Sequence, residues 1–329
     1  MTKDILRNYI GLELPRSLFL RDESWLKALE IDPDHIYPDL MGTLLAISDG
    51  VDLPFPSGWT FQFAADLNNT ILHDEFLNPY LHNVTALPTP YKPVVHMPYN
   101  ADSLALTGGF SRTLEKQFDI CSAMNCDCIV IHPPRTFENM DQQCVDEFTR
   151  LQIKKLLRDT KITVCIENMD YSGEYYQSLT HLVEMRSKIV QKLEESGDGD
   201  VANYIKFTFD VGHYKIYRQR DMPTAEGDDR NNVWADSFEE FLKHTKVFHI
   251  SSNDGTDDHH MLPFSPKKSI RVKGKFDGEQ FQKNSLELLG WLRIAREMDT
   301  DIPERFWILE IEPPFNVQDV KAFLKRLFS

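Results

Sequence analysis

The chain has 329 residues, of which 41% are hydrophobic and 26% charged, and its formal net charge is −15. Such a composition supports a large core and excludes disorder as the overall state, and the length fits one α/β barrel of about 250 residues with insertions. The acidic balance repels a phosphate backbone, which disfavours nucleic acid as a partner without excluding it, since buried cations would change the local charge a substrate meets.

Nothing in the sequence reaches the roughly 18 consecutive apolar residues of a membrane-spanning helix. The N-terminal MTKDILRNYIGLELP lacks a basic region followed by a signal-length apolar core. The five cysteines are odd in number, so a reducing cytoplasm is the expected compartment. Cys121, Cys126 and Cys128 match no C-x-x-C spacing, and core packing is expected of them rather than zinc.

In chain order, YIGLELP (Tyr9 to Pro15) reads as a first strand, followed by helical material at Glu23 to Glu30 and Tyr37 to Ser48. After a proline-containing loop, WTFQFA (Trp59 to Ala64) alternates like a second strand; Trp59 and Phe61 are expected in the core rather than stacked on a sugar or base. PVVHMP ends a third strand in His96. A helix with Leu114, Phe118, Ile120 and Cys121 leads to CIVIHPP, which carries His132 at its end. Val145, Phe148, Leu151, Ile153 and Leu156 have approximate helical spacing, and ITVCIENM then presents Glu167. The amphipathic stretch Tyr175 to Glu195 leads to KFTFDVGH, where Asp210 and His213 are expected to converge at one strand end, with Gly212 where the chain leaves the sheet. Residues Arg218 to Asn232 read as a solvated loop. KVFHISS places His249, Gly278 to Glu297 reads as a helix, FWILEIEPP carries Glu310 and Glu312, and Val317 to Phe328 closes the chain as a helix.

Eight strand candidates separated by helices predict a parallel sheet, and eight such units a closed (β/α)8 barrel spanning 1–329 as one domain, with elaborated loops at the C-terminal face. No G-x-G-x-x-G loop follows the first strand to favour a dinucleotide fold. His96, His132, Glu167, Asp210, His249 and Glu310 all fall toward strand ends, where that fold builds its active face. Any one of them could be a local hydrogen-bonding residue. Six at equivalent positions point instead to a shared cation, since buried charges need partners. Mixed oxygen and nitrogen donors suit zinc, manganese, iron or cobalt better than a pure magnesium or calcium site.

In this order, HMPY, IHPP, IENM, DVGH, FHISSNDG, DDHH (Asp257 to His260) and ILE resemble the xylose isomerase-like and endonuclease IV-like superfamily of metal-dependent barrels. The sugar isomerases and epimerases of that group imply one divalent ion held by Glu167, Asp210, His249 and Glu310. They also imply Glu167 and Glu310 as the acid/base pair of an enediolate mechanism and His213 on the substrate. Manganese, zinc, cobalt and magnesium all fit this resemblance, which implies a sugar or sugar phosphate as partner and leaves homo-oligomerisation open. The endonuclease IV likeness implies up to three zinc ions on His96, His132, Glu167, Asp210, His213, His249, Asp257, His259 and Glu310, acting on abasic-site DNA or a smaller phosphoester. HHMLPFSPKK departs from that family's Gly-Glu-Gly pattern, so Asp254, Asp258 or His260 compete with Asp257 and His259, and Glu312 competes with Glu310. The isomerase or epimerase reading is preferred because of the acidic charge. A metal-binding barrel without catalysis is the third alternative. Lys267, Lys268, Arg271, Lys273 and Lys275 form a basic stretch that suits either a substrate phosphate or a solvated loop.

Overall fold

The computed structural model describes residues 7–14, 23–30, 32, 58–64, 92–97, 117–133, 140–169, 178–220, 237–255, 258–265, 277–313 and 315–329. Its strands are β1 Arg7–Leu14, β2 Gly58–Ala64, β3 Val94–His96, β4 Cys128–Ile131, β5 Thr163–Glu167, β6 Ile205–Asp210, β7 Thr245–Ile250 and β8 Glu304–Leu309. They close into one parallel barrel in sequence order, β8 returning to pair with β1. The helices are α1 Glu23–Leu29, α2 Met140–Phe148, α3 Leu151–Thr160, α4 Leu179–Glu195, α5 Val211–Arg220, α6 Phe238–Lys243, α7 Gly278–Glu297 and α8 Val317–Phe328. Residues 117–123 are also helical.

Strands in such a sheet are covered on both faces, by helices outside and by one another inside, so they read as apolar runs rather than clean alternation. Alternation nevertheless decides which side chain goes where. One parity, including Ile10, Leu12, Phe61, Phe207, Phe209, Phe248 and Trp307, packs against the helices. The other fills the barrel with Tyr9, Val94, Cys128, Val130, Cys165, Val247, Phe306 and Ile308. Cys121, Cys126, Cys128 and Cys165 are buried free thiols. Gly11 is required where it stands: a Cβ there would lie 1.8 Å from the Thr60 carbonyl oxygen, so the β1–β2 approach admits no side chain.

The helices follow their patterns. α8 buries Val320, Phe323, Leu324, Leu327 and Phe328, a stripe at helical spacing. α7 begins at Asp277, whose carboxylate accepts from the backbone N–H groups of Glu279 and Gln280. Two expectations are corrected. The single helix suggested by Val145 to Leu156 is two, because Arg150 adopts an extended conformation (ψ 140°) between α2 and α3. In consequence Leu151 is 78% exposed and Leu157, not Leu156, is fully buried. The segment read as a loop from Arg218 instead begins within α5, with Arg218 buried. The expected helix at Tyr37 to Ser48 and the basic stretch from Lys267 to Lys275 lie outside the described residues, as does the side chain of Trp59.

Candidate metal centre

Above the apolar barrel interior the inward parity continues to the C-terminal strand ends. There β1 to β8 reach, in turn, Glu13, Gln62, His96, His132, Glu167, Asp210, His249 and Glu310. Every strand thus contributes one polar side chain to a single ring. Two of the eight, Glu13 and Gln62, escape the sequence analysis. Each sits in a stretch read only as strand (LEL, FQF), and the signal that finds them is the parity of the neighbouring strands.

Glu167 is the hub of the ring. Its Oε2 lies 3.3 Å from His96 Nε2 and 3.1 Å from His132 Nε2. Its Oε1 lies 2.8 Å from His249 Nδ1 and 3.6 Å from His213 Nδ1. His249 Nδ1 is also 3.0 Å from Glu310 Oε2 and 3.9 Å from Asp210 Oδ2. One donor atom from each of Glu167, Asp210, His249 and Glu310 falls within 4.8 Å of the others. The same holds for His96, His132 and Glu167, and for His96, His249 and Glu310.

The local chain geometry holds these donors in place. Asn168 clamps the end of β6 to β5, its Oδ1 accepting from Asp210 N at 2.8 Å and its Nδ2 donating to Asp210 O at 2.9 Å. Asp210 Oδ1 accepts from the His213 backbone N–H at 2.7 Å as the first turn of α5 begins. Gly212 lets that turn lie against the end of β7, since a Cβ there would meet Ser251 Oγ at 2.5 Å.

Charges packed this closely away from water shift one another. Burial works to raise Glu167, but the charge of His249 and the hydrogen bonds of His132, His249 and His96 outweigh it and hold the carboxyl well below the usual range. Burial likewise opposes the charged form of His249, which Glu167 and Glu310 nevertheless raise well above an ordinary histidine. Burial, countered only in part by His213, lifts Asp210 far above the usual carboxylate range, and Glu310, Glu167 and Asp258 add repulsion. Burial and then the charge of Glu310 push the half-buried Glu13 up to about 8.

The donor set fits a cation. Asp210 Oδ2 and Glu310 Oε2 are buried carboxylate oxygens without a hydrogen bond, although His249 lies beside both. Such oxygens are costly unless something positive lies among them. Two histidines are also held in the ring orientation that ligation needs, one nitrogen donating away from the site and the other turned into it. His249 donates from Nε2 to Gln62 Oε1 at 2.9 Å, so Nδ1, which carries the second proton in the metal-free protein, is the nitrogen turned toward the carboxylates and the one a cation would take. His96 donates from Nδ1 to Met97 O at 2.7 Å, leaving Nε2 toward Glu167. Gln62 is itself held by Glu13 Oε1 at 3.3 Å. Gln62→Ala should therefore weaken divalent-metal affinity roughly 10- to 100-fold with the fold intact, read by competition against a chromophoric chelator; unchanged affinity would remove Gln62 from the site.

The other expected site residues stand beside this set. His213 gives Nδ1–H to Asn168 O at 2.9 Å and faces Asp258 Oδ2 with Nε2 at 3.2 Å. Asp258 Oδ2 lies 2.5 Å from His260 Nε2 as well, making a His213–Asp258–His260 bridge. His259 pairs with Asp254 at 3.5 Å, away from the grouped donors. Asp257 lies outside the described residues. Glu310 and Glu312 both follow the last residue of β8; Glu310 is buried in the donor group, whereas Glu312 is half-exposed outside it.

A closed parallel eight-stranded barrel with a polar ring at its C-terminal mouth is the (β/α)8 architecture, which builds its sites on that face. The AP endonuclease family 2 model, described as a xylose isomerase-like TIM barrel, matches residues 75–327, and the chain belongs to that family. Its fold is similar to that of a D-tagatose 3-epimerase-like protein, at 15% identity over 96% of this chain and 94% of that one, with a TM-score of 0.54. It is also similar to the IolI protein with a bound zinc atom, at 12% identity over 97% and 96% with a TM-score of 0.53. Endonuclease IV from Thermus thermophilus aligns at 14% identity over 97% of each chain with a TM-score of 0.49. No curated protein matches the chain. No helix among the described residues is long and apolar enough to cross a membrane.

Proposed function

We propose that this chain is a divalent-metal-dependent isomerase or epimerase of a sugar or sugar phosphate, moving a proton beside the carbonyl through an enediolate. The observation that carries this reading is the grouping of Glu167, Asp210, His249 and Glu310, three carboxylates and one imidazole from four strands, with two oxygens lacking hydrogen bonds. Zinc, manganese or cobalt suits that donor set. When bound, the ion would polarise the substrate carbonyl and offset the charge of the enediolate.

The residues divide the remaining work. Glu167, gripped by three imidazoles, stays ionised and fixes the geometry. Glu310 Oε2 faces one imidazole, His249 at 3.0 Å, where Glu167 faces three, and Glu310 is the carboxylate better disposed to take a proton from carbon. Glu13, pushed up to about 8, provides a protonated carboxyl beside it that can hydrogen-bond a substrate oxygen. His213 acts as a positioning residue, orienting Asp210 through its backbone N–H and Asp258 through its ring. The barrel mouth, rich in hydrogen-bonding groups, suits a polyhydroxylated substrate.

The His96, His132 and Glu167 group favours a second reading, a multinuclear zinc phosphodiesterase acting on abasic-site DNA or a smaller phosphoester. Metal content of untagged protein purified without chelators, measured by elemental mass spectrometry, separates the two. About one ion per chain, with solvent deuterium entering a ketose or ketose phosphate at the carbon beside the carbonyl, supports the isomerase reading. In that case His96→Ala retains the ion. About three zinc ions with phosphodiester cleavage would replace it, and a metal-loaded protein that turns over neither class of substrate would be a non-catalytic barrel.

A further inference from the structure

The N-terminal face of the barrel, opposite the polar ring, holds a second site. There the loop after α7, the 3-10 turn Gly199–Tyr204 before β6 and the end of α6 enclose a cavity of about 870 Å³. That volume is in the range that takes small metabolites. Arg186 from α4, Lys206 from β6 and His244 before β7 line it together.

Among the described residues Arg186 and Lys206 form no ion pair, Glu240 and Asp301 acting on them only from beyond contact distance, whereas His244 pairs with Glu240. Arg186 spends its Nε on the Ile205 carbonyl at 2.9 Å, and among the described residues neither of its terminal nitrogens has a hydrogen-bond partner. Lys206 is half-buried and makes no hydrogen bond or ion pair among the described residues. The acids in the cavity are either occupied or exposed. Glu240 is taken by Lys243 at 3.2 Å and His244 at 3.3 Å, while Asp299 and Asp301 lie at the exposed lip. Unpaired, partly desolvated cations facing a common space are the elements of an anion site. The crowding also shows in acidity: burial and then the charge of Arg186 push Lys206 down to about 8, with Lys246 adding to the repulsion. Burial, followed by Arg186 and Lys206, pushes His244 down to about 4.

We propose that this cavity binds a small phosphate-bearing metabolite, its phosphate held by Arg186 and Lys206 and its hydroxyl or amine groups by Thr300 and the carboxylates of Asp299 and Asp301. A planar guanidinium beside a point-like ammonium matches a phosphate's oxygens, and the acidic lip favours a ligand that also carries donors over a bare polyanion. The site is separate from the metal centre and does not depend on the activity proposed for it.

The test is calorimetric titration of inorganic phosphate into the full-length protein at constant ionic strength, with chloride as the control anion. Saturable binding is expected in the wild type and equally in Glu167→Gln, which alters only the opposite face. Arg186→Gln and Lys206→Met should each weaken it about tenfold or more. Lys206→Met strands no partner and should fold. Phosphate should also slow acylation of Lys206 in the wild type several-fold relative to the exposed Lys155, as mapped by peptide mass spectrometry. Absence of saturable binding, equal affinity in all variants, loss confined to Glu167→Gln, or unprotected Lys206 would each overturn the proposal.

Discussion

Glu167→Ala should leave a protein that retains no metal at the four-donor group and turns over no substrate, with activity down by more than about 10³-fold. No other single change removes as much. The variant deletes a carboxylate that His96, His132 and His249 all face within 3.3 Å, and it separates the three donor groups that share Glu167 or its partners. The metal-free protein should lose stability as well, on the order of 3 kcal/mol, the scale for breaking a buried charge pair from one side.

The pH dependence of that loss has a definite sign. Although burial opposes it, Glu167 and then Glu310 raise His249 in the folded state. The stabilisation from this pairing is therefore complete below the unfolded histidine value of about 6.5 and is lost as the pH rises through the folded value. In chelator, the gap between wild type and Glu167→Ala should be widest at about pH 6 and should shrink, not grow, as the pH is raised from there. Urea midpoints across that pH range measure it. A gap that widens with pH would mean that His249 is neutral in the metal-free protein.

What the sequence discloses and what it conceals have the same physical origin. Strand ends carrying His or an acid after an apolar run are visible because such residues are out of place beside a core, which is how β3 to β8 each reveal their contribution. Glu13 is hidden because the apolar run of β1 continues past it to Leu14, so it does not mark a strand end, and Gln62 because β2 already alternates with Thr60; only the closed barrel shows that both point to the same centre. The loop after β7 is ambiguous for another reason. Asp254, Asp258, His259 and His260 crowd into one short stretch, and spacing cannot say which pair with one another. The structure gives His259 to Asp254 and ties His260 through Asp258 to His213. The joint between α2 and α3 is invisible because apolar residues recur across it at nearly helical intervals. The cavity under the barrel is equally so, since Arg186, Lys206 and His244 come from three elements that approach one another only on folding.

Asp210→Asn should invert the order of stability between metal-free and metal-loaded protein. Burial, only partly countered by His213 and aggravated by the charges of Glu310, Glu167 and Asp258, lifts this carboxyl far above its ordinary value, so its ionised form weakens the fold. A raised folded-state value means that the native protein binds more protons than the unfolded chain above about pH 3.9, so the cost of ionising Asp210 is absent in acid and grows as the pH rises. An asparagine cannot ionise. It keeps an oxygen to accept from the His213 backbone N–H, and the Asn168 clamp grips only the backbone of this residue. In chelator the variant should match the wild type near pH 4 and exceed it by about 1–3 kcal/mol near pH 8, the scale for relieving a buried group that lacks a hydrogen bond. With a divalent ion at 100 times its Kd the wild type should gain about 2.7 kcal/mol, and the variant, short of a charged donor, much less. Thermal melts of both proteins with and without metal at pH 8 decide the matter. If Asp210→Asn is less stable than the wild type in chelator, the carboxylate is satisfied without an ion; if it gains as much from metal as the wild type, Asp210 is not a ligand. The expected crossing of the two curves would mark Asp210 as a residue that weakens the metal-free fold in order to hold the ion.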